Sequence, residues 1–148
     1  MLIIVHLITS FIASAAFGII FNAPKRNLLH CGLVGMLGWI AYILLDFRME
    51  VIFSTVAATF IVGIISQFFA KLFKKPVIIF SVSGIIPLVP GGLAYDAMRN
   101  FVINEYNVAI QLAAQAFLIS GSIAIGLVVS EVLNQLLQKI SAKIKNKA

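Results

Sequence analysis

Pro76-Val-Ile-Ile-Phe-Ser-Val-Ser-Gly-Ile-Ile-Pro-Leu-Val-Pro-Gly-Gly-Leu-Ala-Tyr-Asp-Ala-Met-Arg99 is the stretch on which the reading of this chain turns. It starts as a helix does, with a proline just past the basic Lys74-Lys75 pair. Gly84, Pro87, Pro90, Gly91 and Gly92 then fall within nine residues. Each proline lacks an N–H and clashes with the preceding turn, and each glycine loosens the backbone, so a regular helix cannot pass through the set. About eleven residues at about 1.5 Å apiece rise about 16 Å, half of a hydrocarbon layer about 30 Å thick. The spacing predicts a helix broken near the middle of a membrane and completed by a second half-helix from about Leu93 to Val102.

A break at that depth frees N–H and C=O groups where lipid cannot satisfy them. Such backbone persists only inside protein or beside water. Discontinuous helices hold substrates in secondary transporters, where the free amides and positive dipole end of a half-helix receive a carboxylate. Here that end is Pro90-Gly91-Gly92-Leu93-Ala94, followed by Tyr95, Asp96 and Arg99. Asp96 and Arg99 stand three apart and share a face. Buried, they form a functional intramembrane pair in which Asp96 carries a proton and Arg99 gates or binds a carboxylate. At the interface they are an ordinary snorkelling pair. A structural kink is the competing account of the break, although a kink needs one proline.

Outward from this stretch the chain keeps a membrane character. Of its 148 residues 61% are apolar and 11% charged, and the mean hydropathy is +1.09. Soluble domains carry about 45–50% apolar and about 25% charged residues, so a water-soluble globule is excluded. The net charge is +6, but the cations sit in short gaps between apolar runs rather than on one soluble face, which excludes a nucleic-acid binder. Apolar runs cover 2–21, 28–45, 51–70, 77–102 (the broken one) and 108–129, with a basic tail over 131–148. The expectation is one integral membrane domain, an all-α bundle of five transmembrane helices with a discontinuous fourth. The alternation of a membrane barrel is missing. Five crossings put nine of the eleven Lys/Arg on one side and leave Arg48 and Arg99 on the other. That bias places the N-terminus outside and the C-terminus in the cytoplasm. No basic segment precedes the apolar N-terminus, so no cleaved signal peptide is expected despite Ala13, Ala15 and Ala16.

The lone Cys31 allows neither an internal disulfide nor a metal set, and no base meets a nucleophile in the pattern of an intramembrane enzyme. No catalytic residue, metal or cofactor is expected. Small residues at helical spacing mark packing faces: Ser10, Ser14 and Gly18; Gly32, Gly35 and Gly38; Thr55, Thr59 and Gly63, continued by Ser66 and Gln67; Ser122, Gly126 and Ser130. Gln111 and Gln115 share the last face, and their amides need either another helix or a wet path. His6, His30, Trp39 and Tyr42 read as interface residues, Asp46 and Glu50 as solvated turn charges, and Glu131 as a residue of the cytoplasmic edge. Leu133, Leu136, Leu137, Ile140 and Ile144 run beside Lys139, Lys143, Lys145 and Lys147 as a basic amphipathic helix, suited to anionic headgroups or a partner.

The segment Ile85-Ile-Pro-Leu-Val-Pro-Gly-Gly-Leu-Ala-Tyr95 after Pro76-Val-Ile-Ile-Phe80, together with Asn22-Ala-Pro-Lys-Arg26, Cys31-Gly32 and Gly35, resembles the threonine/serine exporter family. The likeness is to its small subunit, which corresponds to the C-terminal membrane half of the fused exporters, and it covers essentially the whole chain. It implies export of threonine and serine, or of a dicarboxylate such as succinate, driven by the proton motive force across a bacterial cytoplasmic membrane. It also implies a larger partner subunit carrying the other membrane half, with homo- or hetero-oligomers both open. Pro87, Pro90, Gly91, Gly92 and Tyr95 match the family's hallmark stretch, and Asn22, Pro24, Lys25 and Arg26 its first cytoplasmic loop. An odd number of spans would let a related five-span partner insert the opposite way, giving an inverted pair around a midplane site. A small pore-forming or structural membrane protein is the alternative at this stage.

Overall fold

The computed structural model describes residues 2–145. Lys147 lies outside the described residues, as do the side chains of Ile144 and Lys145. Among the described residues the chain is helical throughout, with α1 at Leu2–Ile20, α2 at Leu28–Asp46, α3 at Val51–Phe73, α4 at Val77–Ile85, α5 at Gly91–Val102 and α6 at Tyr106–Lys145. Single 3-10 turns occupy Lys25–Asn27 and Ile86–Leu88. Four helices are long and apolar enough to cross a bilayer, and the bent pair α4–α5, taken as one span, brings the candidate crossings to five. The molecule is an all-α membrane bundle with a broken fourth span.

The helix ends follow from local chemistry. Asn22, Lys74 and Asn104 take positive φ angles of 52°, 53° and 66°. Each is followed by an amide that reaches back five residues: Ala23 N to Gly18 O, Lys75 N to Ala70 O and Glu105 N to Asn100 O. This left-handed stop satisfies carbonyls that the helix leaves open, and asparagine tolerates it best. Because nothing stops α3 before Lys74, it runs one turn past the apolar run that ends at Ala70. Glycine is absent after Gly126, so α6 continues from the fifth crossing into the basic tail as one helix of 40 residues. At about 1.5 Å per residue that is about 60 Å, twice the hydrocarbon thickness.

α3 sits at the centre, packed on α2, α4 and α6; α1 closes over α2, and α5 lies on α6. The small-residue faces make these contacts. A side chain at Gly35 would strike the Ser14 hydroxyl, one at Gly126 would meet the Val56 carbonyl at 2.6 Å, and one at Gly84 would meet Val34 and Val62. Thr55, Thr59 and Ser122 are buried and return their hydroxyls to carbonyls one turn back, at 2.7, 2.7 and 2.9 Å. The apolar core is thin: Cys31, Val34, Ala58, Val62 and Phe80 are fully buried. Ile4, Ile12, Phe68, Leu72 and Phe117 point outward. A bundle solvated by hydrocarbon gains nothing from hiding such side chains, so close backbone approach replaces a large core.

Candidate functional site

α4 ends at Ile85, and Pro87 falls in the first turn of the 3-10 segment after it. Val89, the residue before Pro90, is extended with φ −66° and ψ 129°. That is the region into which a following proline pushes its neighbour. The chain restarts at Gly91 with its axis turned by 53°. Gly91 N donates to Val89 O at 2.8 Å and Ala94 N to Pro90 O at 3.1 Å. Between them, Gly92 and Leu93 carry first-turn amides for which a helix has no internal acceptor, and no side chain caps this end.

Gly91 and Gly92 differ from most of the other glycines. Neither has a positive φ, and a Cβ added to either would meet nothing within 4 Å. Both are exposed. Turn geometry and internal packing therefore leave their identity unexplained, although each costs helix stability relative to alanine. Gly121 is open in the same way; what sets Gly91 and Gly92 apart is their place at an uncapped helix start, where a missing side chain leaves the first-turn amides open to approach.

Two cavities meet the first turn of α5 at Leu93. A cavity of about 180 Å³ is walled by Trp39, Thr55, Leu88, Pro90 and Leu93 among others. A wider one of about 610 Å³ adjoins it, sharing Tyr42, Leu93 and Ile119, and extends to Glu50 and Gln115 at the end of the bundle away from the lysines. The bend produces both. It carries α5 onto α6 and away from α2 and α3.

Pro87 and Pro90 wall the smaller cavity; Gly91 and Gly92 follow Pro90 in the chain but are part of neither lining, and Gly84, one turn earlier, is committed to packing against Val34 and Val62. Gln111 and Gln115 are both exposed, and Gln115 borders the wide cavity. Tyr95, Asp96 and Arg99 are exposed on the outer side of α5, so the bundle itself buries neither Asp96 nor Arg99. Asn22, Pro24, Lys25 and Arg26 lie at the opposite end of the bundle from Asp96. There Asn22 is the left-handed stop of α1, Pro24 precedes the 3-10 turn, and the two cations are exposed.

Trp39 and Tyr42 stack at 5.4 Å and line the cavity at the break, rather than facing outward as anchors. Their spacing held the signal: Gly35, Trp39 and Tyr42 stand at i, i+4 and i+7, on the face already marked by the packing glycines. Thr55, a buried packing residue, and Glu50, an exposed turn charge, also wall the cavities. Among the described residues no group of three His, Cys, Asp or Glu gathers in a way that would hold a metal ion.

A family model described as "Threonine/Serine exporter, ThrE" matches residues 6–133. An uncharacterized protein of Haemophilus influenzae is 32% identical over 92 residues, which is 62% of this chain and 31% of that protein. The chain thus matches less than a third of the length of this curated relative. No solved structure matches.

Proposed function

The chain belongs to the threonine/serine exporter family, and on that premise we propose that it is the subunit that supplies the substrate's carboxylate site. The site is the uncapped start of α5. The observation that carries this reading is the pair Gly91 and Gly92, open to empty space beside free first-turn amides. A carboxylate of threonine or serine there accepts hydrogen bonds from Gly92 and Leu93 and gains from the positive helix end. A dicarboxylate such as succinate would use the same amides. Pro90 fixes the angle of approach, and Trp39 and Tyr42 form the wall against which the rest of the solute lies.

In this reading the Lys-rich end faces the cytoplasm of a bacterial cell, as the cation bias requires. The solute leaves through the wide cavity between Glu50 and Gln115. The exposed Asp96, Arg99 and Gln111 are the groups that hydrocarbon would not tolerate, and they are covered by a larger subunit of the same family. Coupling is to the proton motive force, with Asp96 as the carboxylate nearest the site along α5.

Efflux of threonine from loaded cells that carry this chain and its partner tests the proposal. Gly91→Leu, which places a branched side chain where the solute's carboxylate must come, abolishes efflux while the protein still inserts. Normal efflux from that variant, and from Gly92→Leu, would contradict it.

A further inference from the structure

At the Lys-rich end a further cavity of about 150 Å³ lies between α3, α4 and α6, walled by Gly63, Gln67, Ser81, Ser130 and Glu131 among others. It exists because α4 and α6 both pack on α3 but not closely on each other. The Gln67 side chain is only 7% exposed. Its Nε2 donates to Ser130 O at 3.0 Å and to Glu131 Oε2 at 3.3 Å. Both of those neighbours are acceptors, so the amide must turn its NH2 toward them, and what it retains for the cavity is its carbonyl oxygen.

The Glu131 carboxylate has neutral hydrogen-bond partners: Gln67, and Gln135 Nε2 at 3.2 Å. The nearest lysine along α3, Lys71, gives its ammonium to Asn134 Oδ1 at 2.7 Å instead. The Ser130 hydroxyl donates to Leu127 O at 2.7 Å, leaving only its lone pairs. The cavity thus combines one negative charge with several acceptors and a single free donor, the Ser81 hydroxyl. An anion is disfavoured there. A small cation that only donates fits, and a primary ammonium with its three N–H groups fits best.

We infer that this cavity is a subsite for the ammonium group of an amino acid, built from Glu131, the Gln67 carbonyl and Ser81, and visited before the solute reaches the break. The order of visits rests on the transport reading above; the binding does not. Ser81 and the break lie on one half-span, nine residues apart from Ser81 to Pro90, so a solute released from the subsite travels along α4 to α5.

The test uses the lone buried Cys31 as an advantage. In a Cys31→Ala background, Ser81→Cys is alkylated with a water-soluble maleimide in membrane vesicles that expose the Lys-rich end, with Val77→Cys on the same cavity as a second reporter. L-threonine and ethanolamine slow labelling several-fold, lactate does not, and Glu131→Gln removes the protection without changing the unprotected rate. Gly91→Leu, expected to abolish export, leaves the protection intact, which separates this site from the one at the break. Unchanged labelling at both reporters with either amine would overturn the inference. Protection that survives Glu131→Gln would overturn it too, as would protection by sodium over potassium chloride without protection by the amines.

Discussion

Glycine serves two purposes in this chain, and the neighbours of each one tell them apart. Gly126 lets α6 come within 2.6 Å of the Val56 carbonyl as measured from a Cβ built at that position, and Gly121, one turn away on the same helix, meets nothing within 4 Å. Gly126→Val should destabilise the fold by about 1–3 kcal/mol through overpacking, and Gly121→Val should leave it nearly unchanged. Thermal unfolding in detergent reads the difference. Gly91 gives the opposite signature. Gly91→Ala should raise stability by about 0.5–1 kcal/mol, because a flexible residue leaves an exposed helical turn, and should lower export in the same protein. A stabilising substitution that costs activity is what a solute site predicts and a packing site does not. The sequence sets Gly91 at the break and Gly126 on a packing face, but does not show what either one faces. Spacing shows which face a residue occupies, whereas the distance to the facing helix depends on how two spans are docked.

At the scale of elements, the fourth span was legible because its breakers act through covalent structure. Pro90 forces Val89 out of the helical region and removes its own N–H wherever the segment sits. The helix stops at Asn22 and Asn104 have a similarly local cause. The direction of the bend was not legible, since it is fixed by the docking of α5 on α6 rather than by the prolines themselves. For the same reason the sequence alone reads Trp39 and Tyr42 as interface anchors, whereas the bend places the cavity beside them. Replacing Pro87 and Pro90 together by alanine should let α4 and α5 approach one continuous helix. Spin labels at Ile78 and Met98, both exposed, report this as a longer distance than in the parent chain. Export should fall with it, because the amides of Gly92 and Leu93 regain acceptors. Phe80 anchors the other side of the break, fully buried against Phe69 and Phe73 at ring distances of 6.0 and 6.3 Å. Phe80→Ala should cost about 3–5 kcal/mol, seen as a lowered unfolding temperature.

For the whole molecule, composition settled the class at once: with 61% apolar residues no soluble packing scheme was open. The bundle is held by backbone proximity and short hydroxyl bonds, and it keeps Asp96, Arg99 and Gln111 on its outer surface. These are poor neighbours for lipid, and the chain matches only 31% of its Haemophilus relative. In the proposed assembly, α5 and α6 are the face that meets the larger subunit. Cysteine pairs between Tyr95 or Met98 and that partner should cross-link, whereas Ile8 and Ile12 on α1 should not. Reporter fusions should place the C-terminus in the cytoplasm and the N-terminus outside.

The account turns on whether the chain at the break presents free amides to a solute within the bilayer. Hydrogen exchange of Gly92 and Leu93, followed by nuclear magnetic resonance of the protein with its partner in lipid nanodiscs, tests this directly. The two amides should exchange far faster than those of Phe80 or Ala97 in the flanking half-helices, and saturating L-threonine should slow them several-fold. Amides as protected as their neighbours, and indifferent to threonine, would contradict it.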